Sequence, residues 1–417
     1  MNEDVQRSTR LGGTSEKPRI ALLTHGLECG GGVPAVARWL RSNLLAQGRY
    51  SVDVCDLATS RHDPASRRVS AARSWCRPSL MREDAMPDHL HWGANAVELE
   101  FMRYRPRREL TRFLNRYDLI QVVAGTPAWA NVAGDSRPPT VIQAATTVAR
   151  ERESILADQG PLVGTWRRAM TAMTTAIEQR ALRAADAVLV ENREMLKHVR
   201  AHSSAPAFLA QPGVDTDRFR PNPEGWDPGR YLLSVCRLGE PRKGLVRMIR
   251  SYAVLRSLRP GAPELVLAGR GPVHASLHST IAGSGLRDSV HVMPDVPAEA
   301  LPDLYRDASV FLQASYEEGL GLSLLEAMAS GLPVVATETA GSRELVVNGE
   351  TGWLVGTSSD GDIAECFADM TGDVLDRTGR AFAASARRRS VEYFSSAATV
   401  HRFVAVYEDL LSADYAR

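Results

Sequence analysis

Short runs of consecutive apolar residues alternate along this chain with longer segments whose apolar residues recur every three or four positions. A continuous apolar run is typical of a parallel strand buried on both faces, and the longer periodicity is typical of a helix packed on the sheet. The alternation predicts two doubly wound α/β domains that face each other across a cleft. The predicted strands lie at residues 19–24, 50–55, 119–123, 140–145, 186–190, 231–236, 264–268, 290–294, 308–312 and 334–336.

Helical periodicity predicts four clear helices: one from the glycines at 30–32 to Gly48, one over 164–185, one that begins near Leu322 and one over 397–411. The region between the second and third predicted strands has the weakest pattern, so its elements are the hardest to predict. One helix is predicted there, and it carries the arginines at positions 103, 105, 107, 108, 112 and 116. A solvated basic face is the simpler interpretation of these arginines. Contact with a phosphorylated acceptor or an anionic membrane surface is the alternative.

The loop at residues 315–321 contains two glutamates and two glycines. It follows a predicted parallel strand, and open α/β sheets bind their ligands at the carboxyl ends of such strands. Gly319 and Gly321 allow backbone N–H groups to approach a ligand, and the helix N-terminus behind them suits a phosphate or a polyhydroxylated ring. For Glu318 and Glu326 taken alone, solvated surface positions are the simpler interpretation.

The sequence from 318 to 355, EGLGLSLLEAMASGLPVVAT…AGSRELVVNGETGWLV, resembles the signature of the retaining nucleotide-sugar glycosyltransferases of family 4. That family has the GT-B fold. The stretch RLGEPRKG at 237–244 is similar to its R-L…K-G pattern, and QPGVDTDRFRP at 211–221 is similar to its domain linker, with Pro212 in place of an asparagine. The resemblance is close in the C-terminal half and exists only in outline in the N-terminal half. It implies transfer of a sugar from a nucleoside-diphosphate sugar to a hydroxyl group of a small-molecule or lipid-linked acceptor, such as a glycoconjugate, a polysaccharide precursor or a small natural product.

The resemblance also implies individual roles. In the E-x7-E motif, Glu318 would hold the transferred sugar and Glu326 the ribose. Arg237 and Lys243 would stabilise the charge on the leaving diphosphate, whereas Arg242 is expected to be a surface charge whose replacement is nearly silent. The other donor-binding candidates are Met293 beside the base, the glycines Gly31 and Gly32, and the backbone of Gly319, Leu320, Gly321, Leu322, Ser323 and Leu324. Without the resemblance, the glycines before the first helix are equally well interpreted as a structural turn.

The N-terminal half departs from the family at one position. Many members have a strand that ends in His-Thr, and their histidine, which faces the donor sugar, aligns with Ala145. Alanine has no group that can bind a proton or form a side-chain hydrogen bond. The resemblance therefore makes Ala145, Thr146 and His25 the acceptor-side candidates, with Thr146 or His25 supplying the polar contact that is missing.

Domain boundaries follow from the linker pattern. We expect a disordered tail at 1–17, an acceptor-binding domain at 18–212, a donor-binding domain at 213–395 and a final helix at 396–417 that returns to the first domain. The 417 residues suffice for two cores, and the net charge of +1 gives no field that would attract nucleic acid. An odd number of cysteines, five, predicts a reducing cytoplasm, with contact to the inner membrane face as an additional option.

No metal and no cofactor besides the co-substrate are expected. His89 and His91 lack a third ligand at metal-site spacing, and Asp215-Thr216-Asp217 belongs to the linker pattern. Two other functions remain open: a sugar-nucleotide-binding protein without transfer activity, and a phosphorylase of the same fold. The acceptor, the base of the donor and the oligomeric state do not follow from the sequence.

Overall fold

The computed structural model describes residues 17–27, 30–60, 62–82, 89–157, 161–356 and 360–414. Residues 1–16 of the predicted tail and Cys29 beside the predicted glycine loop lie outside these ranges. The described chain forms two sheets with helices on both faces of each.

The strands of the first sheet are β1 (Arg19–His25), β2 (Ser51–Leu57), β3 (Leu80–Arg82), β4 (His89–Trp92), β5 (Leu119–Ala124), β6 (Thr140–Ala144), β7 (Ala187–Val190) and β8 (Ala207–Leu209). These eight strands lie in the order β3-β4-β2-β1-β5-β6-β7-β8. Neighbouring strands are parallel except for β3 and β4, which form an antiparallel edge.

The strands of the second sheet are β9 (Tyr231–Arg237), β10 (Leu265–Arg270), β11 (Val290–Pro294), β12 (Ala308–Gln313), β13 (Val334–Thr337) and β14 (Gly352–Val355). They are all parallel and lie in the order β11-β10-β9-β12-β13-β14. The ten predicted strands all occur in the two sheets, with ends within two residues of those predicted. Four strands of three or four residues each, β3, β4, β8 and β14, were not predicted.

The helices lie between the strands in the chain and provide the crossover connections that parallel strands require. Short 3₁₀ turns occur at Ala72–Cys76, Pro127–Ala133 and Pro241–Lys243, and a π turn at Val374–Thr378. The α-helices are α1 (Gly32–Ala46), α2 (Glu100–Arg103), α3 (Arg108–Leu114), α4 (Val148–Ala157), α5 (Pro161–Ala184), α6 (Arg193–His202), α7 (Leu245–Leu258), α8 (Ala275–Gly283), α9 (Leu301–Arg306), α10 (Leu322–Ala329), α11 (Ser342–Leu345), α12 (Asp360–Asp373), α13 (Gly379–Phe394) and α14 (Ser396–Asp414).

The single arginine-bearing helix predicted around residues 103–116 is wrong. Helix α2 ends at Arg103 and α3 begins at Arg108. Pro106 lies between them, and a proline cannot continue a helix because it lacks the N–H group and its ring clashes with the preceding turn. The arginines also do not share one solvated face, since Arg107 is buried.

Each sheet separates two apolar clusters, one on each face. In the first sheet, one face packs through Ile120 and Ile142, and the other through Leu22 and Leu189. In the second sheet the two faces likewise carry separate clusters. Because the strands are buried on both faces, the sheets are rigid supports and their carboxyl ends are available for a site.

The C-terminal helix α14 packs against the first sheet although it follows the second. Tyr407 donates a hydrogen bond to Gln121 Oε1 at 2.7 Å, and Trp39 Nε1 donates to Ser396 Oγ at 2.9 Å. The linker runs beside this return path, because Val214 N–H donates to the Phe394 carbonyl at 2.8 Å. None of the helices in the described ranges is long and apolar enough to cross a membrane.

Candidate active site

The carboxyl ends of the strands in the two sheets line a cleft between the domains. Asn192, the second residue after β7, crosses this cleft: its Nδ2 atom donates to the carbonyl oxygens of Ala145 at 3.0 Å and Gly319 at 2.7 Å. The other end of the same side chain caps α6, because Oδ1 accepts the Met195 N–H at 2.8 Å. Asn192 was not predicted as a site residue, although an asparagine between a strand and a helix is a recognisable N-cap signal.

Lys243 and Glu318 form a buried ion pair at the centre of the second domain's edge. Lys243 Nζ lies 2.7 and 2.9 Å from the two Glu318 carboxylate oxygens, and Ser315 Oγ donates to the same carboxylate at 2.7 Å. Burial by itself raises the pKa of Glu318, but the charges of Lys243 and Arg242 outweigh it and lower the pKa below its usual value. Glu318 is therefore a fixed negative charge with Lys243 beside it.

Arg242, whose replacement the sequence predicts to be nearly silent, is mostly buried and forms ion pairs. Its guanidinium bonds Glu317 Oε2 at 2.9 Å and Glu240 Oε2 at 3.1 Å, and only 15% of its side chain is exposed. The neighbouring glutamates raise the pKa of Arg242 despite its burial. Adjacent residues thus make parallel pairs, Arg242 with Glu317 and Lys243 with Glu318, which attach the glutamate loop to the loop after β9.

Arg237, at the end of β9, reaches the glycine loop of the first domain. It pairs with Glu240 Oε1 at 3.0 Å, and 47% of its side chain stays exposed. A Cβ atom added to Gly31 would lie 3.5 Å from Arg237 Nε. Gly31 has φ +107°, which an L-residue rarely adopts, and is the N-cap of α1. Gly32 has open space where a Cβ would be, so sterics do not require a glycine there.

Arg270 was missed by the sequence analysis. It is the register partner of Arg237 at the end of the neighbouring strand β10. A Cβ atom on Gly30 would lie 2.5 Å from Arg270 Nη1, so this side chain covers the glycine loop as well. The glycine loop therefore faces two arginines of the second domain. The A-G-x-G-P turn after β10 was the available signal, because it places residue 270 at the cleft edge.

The backbone of the glutamate loop leads into α10. Gly321, with φ +93°, is the N-cap, and no side chain caps the helix. The first N–H groups of α10 have no partner within the helix, as at any helix N-terminus. The side chains of Leu320 and Leu324 are buried in the domain core, so only their backbone atoms can contact a ligand. Leu322 packs against the first domain, and Ser323 is half-buried.

Glu326 is in the second turn of α10 with surroundings unlike those of Glu318. Tyr305, fully buried on α9, donates a hydrogen bond to Glu326 Oε2 at 2.8 Å. Burial raises the pKa of Glu326 to about 7, and the Tyr305 hydrogen bond only partly opposes this. Tyr305 is another residue that the sequence analysis missed, since nothing in the local pattern relates it to a glutamate on a different helix.

Across the cleft, Ala145 lies directly against Gly319. A Cβ atom on Gly319 would be 2.5 Å from the Ala145 Cβ and 3.1 Å from its carbonyl oxygen. A larger residue at either position would push the two domains apart. Ala145 therefore has a packing role, which its alignment with the family's histidine did not predict. Thr146 is buried beside it, with its N–H bonded to the Gly125 carbonyl at 3.0 Å.

His25 ends β1 and stacks on Trp129, with ring centroids 4.4 Å apart. Burial lowers the pKa of its imidazole to about 4, so the ring is neutral at physiological pH. Its Nε2 atom is buried and has no hydrogen-bond partner among the described residues. His25 is therefore an acceptor-side candidate with a buried polar atom that the described residues leave unused.

Met293 lines a cavity of about 480 Å³ near the edge of the second sheet. The cavity also contacts Tyr231 and Asp307, which lie at the amino ends of β9 and β12. The ion pairs described above are at the opposite, carboxyl ends of those strands. The cavity therefore extends from the carboxyl end of β11 towards the amino ends of β9 and β12, away from the ion pairs, and we place the chemistry at the ion pairs.

The residues of two sequence motifs that could suggest a metal site form hydrogen bonds with other protein groups. Asp215 Oδ1 accepts the N–H groups of Asp217 at 3.1 Å and Arg218 at 3.0 Å, which makes a local turn in the linker. His91 lies between two carboxylates, with Nδ1 2.9 Å from Asp56 Oδ2 and Nε2 2.5 Å from Asp63 Oδ2. Within the described ranges, no group of three or more His, Cys, Asp and Glu side chains has the arrangement of a metal site.

Comparison with known proteins matches residues 216–387 to a family described as Glycosyl transferases group 1. The chain is 36% identical over 188 residues to the GDP-mannose-dependent alpha-(1-6)-phosphatidylinositol monomannoside mannosyltransferase of Mycolicibacterium smegmatis, covering 41% of this chain and 48% of that protein. It is 29% identical over 324 residues to the D-inositol 3-phosphate glycosyltransferase of Streptomyces scabiei, covering 70% and 69%.

Among solved structures, sucrose-phosphate synthase from Thermosynechococcus elongatus matches with a TM-score of 0.71 at 20% identity, over 95% of this chain and 100% of that chain. This likeness shows the overall fold. The matching region spans about half the length of the mannosyltransferase, 48%, and more of the inositol phosphate enzyme, 69%.

Proposed function

We propose that the chain transfers a sugar from a nucleoside-diphosphate sugar to an acceptor hydroxyl group with retention of configuration, because residues 216–387 match the group 1 glycosyl transferases and the chain has the GT-B fold. The observation that carries this proposal is the pairing of Lys243 with Glu318 at the carboxyl end of the second sheet. A fixed cation and a fixed anion there suit a ligand with a diphosphate at one end and a sugar at the other.

The leaving diphosphate would be stabilised by Lys243 and Arg237. Two of the three N–H donors of Lys243 meet Glu318, which leaves one for a phosphate oxygen. Arg237 uses one edge of its guanidinium for Glu240 and is half exposed towards Gly31. Charge-assisted hydrogen bonds of this type contribute about 1.5–3 kcal/mol each, and they strengthen as negative charge builds on the leaving group. This proposal requires no metal ion or further cofactor.

The donor sugar would lie against Glu318 and the backbone N–H groups from Gly319 to Leu324. Glu326 would contact the ribose, and its partner Tyr305 would fix the direction of the carboxyl group. Met293 would lie beside the base, as the end of β11 is at the same sheet edge. One mannosyltransferase relative is named for its GDP-mannose donor, so GDP-mannose is the first donor to test.

Retention of configuration would not require a protein base at Ala145. The departing phosphate can accept the acceptor's proton if both are held on one face of the sugar. Ala145 contacts Gly319 and leaves no space for an acceptor between them, so we place the acceptor nearer to His25. The neutral His25 ring has an unused nitrogen that can accept or donate one hydrogen bond.

The location in the cell is also a proposal. The four cysteines in the described ranges are free, which suits a reducing cytoplasm. The exposed arginines of the α2–α3 region, at positions 105, 108, 112 and 116, would be the contact for an anionic acceptor or membrane face.

The proposal is tested by mass spectrometry of GDP-, UDP- and TDP-sugars incubated with a panel of polyol, phosphorylated polyol and lipid acceptors. Deoxy and amino sugars belong in the donor panel because Ala145 has no polar group. A product with the mass of one transferred sugar supports the proposal. Tight donor binding with no transfer to any acceptor and only slow hydrolysis would instead indicate a binding protein, an outcome that the closed contact at Ala145 makes worth testing.

A further inference from the structure

A buried carboxyl group that none of the proposed steps uses lies at the floor of the cleft. Glu191 is the first residue after β7 and is 6% exposed. The neighbouring strand β6 ends at Ala144, which is in register with Val190. Glu191 and Ala145 are therefore side by side at the same sheet edge, with the interdomain residue Asn192 next in the chain.

Negatively charged side chains of the second domain lie near Glu191. Burial is the main reason why the pKa of Glu191 rises to about 7, and the carboxylates of Glu317 and Glu318 raise it further. These two glutamates are in the loop that would hold the donor sugar. No lysine or arginine in the described ranges forms an ion pair with Glu191. The group thus borders the proposed sugar position, is about half protonated at neutral pH and is largely protonated below it.

Gln143 holds the Glu191 side chain from below. Its Nε2 atom donates to Glu191 Oε1 at 3.4 Å and to the Ala210 carbonyl at 3.2 Å. Gln143 is fully buried, and its Oε1 atom has no hydrogen-bond partner among the described residues. Burying these two polar side chains on adjacent strands costs free energy, because one acceptor atom lacks a hydrogen bond. A ligand or a water molecule that forms this hydrogen bond would remove the cost.

We propose that the Glu191 carboxyl group, positioned by Gln143, forms a hydrogen bond with a hydroxyl group of the transferred sugar and thereby contributes to the choice of donor. This rests on the proposed function. The chemistry fits a sugar because a protonated carboxyl group both donates and accepts, as a hydroxyl group does. Glu191 supplies this contact at the edge where Ala145 has no polar atom. Gln143 is a positioning residue that acts through Glu191.

The test compares binding of a sugar nucleotide with binding of its nucleotide alone. Calorimetry measures Kd for GDP-mannose, GDP, UDP-glucose and UDP at pH 6 and pH 8, with wild type, Glu191→Ala, Glu191→Gln and Gln143→Met. We expect Glu191→Ala to weaken binding of the sugar nucleotide at least about tenfold at pH 6 and to leave binding of the nucleoside diphosphate unchanged. Wild type should bind the sugar nucleotide more weakly at pH 8, where Glu191 is charged beside Glu317 and Glu318.

Glu191→Gln should remove this pH dependence, because an amide donates a hydrogen bond at every pH. Gln143→Met should lower the affinity for the sugar nucleotide by a smaller factor and should leave the affinity for the nucleotide unchanged. Glu178→Gln is the matched control: burial also raises the pKa of Glu178 to about 7, but its carboxylate accepts the Val148 N–H at 2.9 Å and caps α4. Glu178→Gln should leave the ratio of the two dissociation constants and its pH dependence unchanged.

Three outcomes overturn the inference. Equal weakening of sugar nucleotide and nucleotide by Glu191→Ala would mean a structural role. Unchanged binding by a folded Glu191→Ala protein would mean that the carboxyl group does not reach the sugar. An unaltered pH dependence in Glu191→Gln would assign the titration to another group. Failure of wild type to bind any of the four compounds would instead refute the proposed function on which the inference rests.

Discussion

At the scale of single residues, the two glutamates of the E-x7-E motif are in opposite electrostatic environments. Glu318 is paired with Lys243, which lowers its pKa, whereas burial raises the pKa of Glu326 to about 7. The sequence showed only their spacing. The different partners, a lysine for one and a tyrosine for the other, give each glutamate a different expected role.

The cationic pair gives the first prediction. Lys243→Ala and Arg237→Ala should each lower kcat/KM at least about tenfold, because each removes a contact that strengthens as the leaving group forms. Lys243→Ala should also destabilise the fold by about 3–5 kcal/mol, since it leaves Glu318 buried without its cation. Steady-state kinetics and thermal unfolding measure the two effects separately.

Two controls separate catalysis from stability. The double variant Lys243→Met, Glu318→Gln should recover much of the unfolding free energy and none of the activity, because the buried charge is gone but so is the contact with phosphate. Arg242→Ala should lower Tm, since Glu317 and Glu240 lose their partner, while keeping more activity than Lys243→Ala. An equal loss of kcat/KM at all three positions would indicate a diffuse basic patch.

The second prediction concerns the motif itself. Glu326→Ala should mainly raise KM for the donor, because it removes a ribose contact, and Glu318→Gln should mainly lower kcat, because it removes the charge beside the reacting sugar. Tyr305→Phe should raise KM less than Glu326→Ala, since it only frees the carboxyl group to rotate. If both glutamate variants keep the wild-type kcat/KM, the motif does not form the donor site.

At the scale of elements, strand ends determine where the chemistry is placed. Long apolar runs could be located from the sequence because a buried strand has no polar face to interrupt it. The short strands β3, β4, β8 and β14 could not, and Pro106 divided the predicted arginine helix into α2 and α3. The candidate site residues were predicted from their motif. Their contacts, such as Lys243 with Glu318, depend on the order of strands in the sheet and were not predictable from spacing.

Asn192 gives the third prediction, because one side chain serves two elements. Asn192→Asp keeps an oxygen for the α6 cap but loses the Nδ2 donor to Ala145 and Gly319. Asn192→Ala loses both. We expect both variants to show a larger radius of gyration by X-ray scattering when the donor is bound, because the domains are less firmly held together. Only Asn192→Ala should also lose the cap contribution of about 1 kcal/mol. Wild-type compactness in Asn192→Asp would contradict this role.

At the scale of the whole molecule, the two domains are joined by more than the linker. Helix α14 returns to the first sheet, and Arg402 on it donates to Gln211 Oε1 at 2.9 Å. Arg193, at the start of α6, bonds Glu344 of the second domain through its N–H at 2.8 Å. These contacts arrange the domains so that the glutamate loop faces Ala145 and the glycine loop faces Arg237 and Arg270. Such pairings join residues far apart in sequence, so no local pattern predicts them.

The fourth prediction is a pH dependence of global stability. Hydrogen bonds to Asp56 and Asp63 raise the pKa of His91 to about 10, although burial acts in the opposite direction. Because the folded-state pKa is above the 6.5 that is usual for histidine, protonated His91 stabilises the fold fully below pH 6.5, and this contribution is lost as the pH rises through about 10. Thermal unfolding between pH 6 and 10 should show a falling Tm.

His91→Asn should lower Tm at pH 7 and flatten this decline. His291→Asn is the control, because His291 is an exposed histidine paired with the exposed Glu264 and should change neither Tm nor its pH dependence. A His91→Asn protein whose Tm declines as steeply as that of wild type would assign the pH dependence to other groups.

The most direct test of the central claim is the anomeric configuration of the product. The protein is incubated with an α-linked nucleoside-diphosphate sugar carrying ¹³C at C1 and with an acceptor that mass spectrometry has shown to be modified. The one-bond C1–H1 coupling in the NMR spectrum then distinguishes the α product from the β product. Sugar transfer supported by Lys243, Arg237 and Glu318 predicts an α-linked product and release of the nucleoside diphosphate. A β-linked product would contradict retention, and release of free sugar with no glycosylated acceptor would contradict transfer itself.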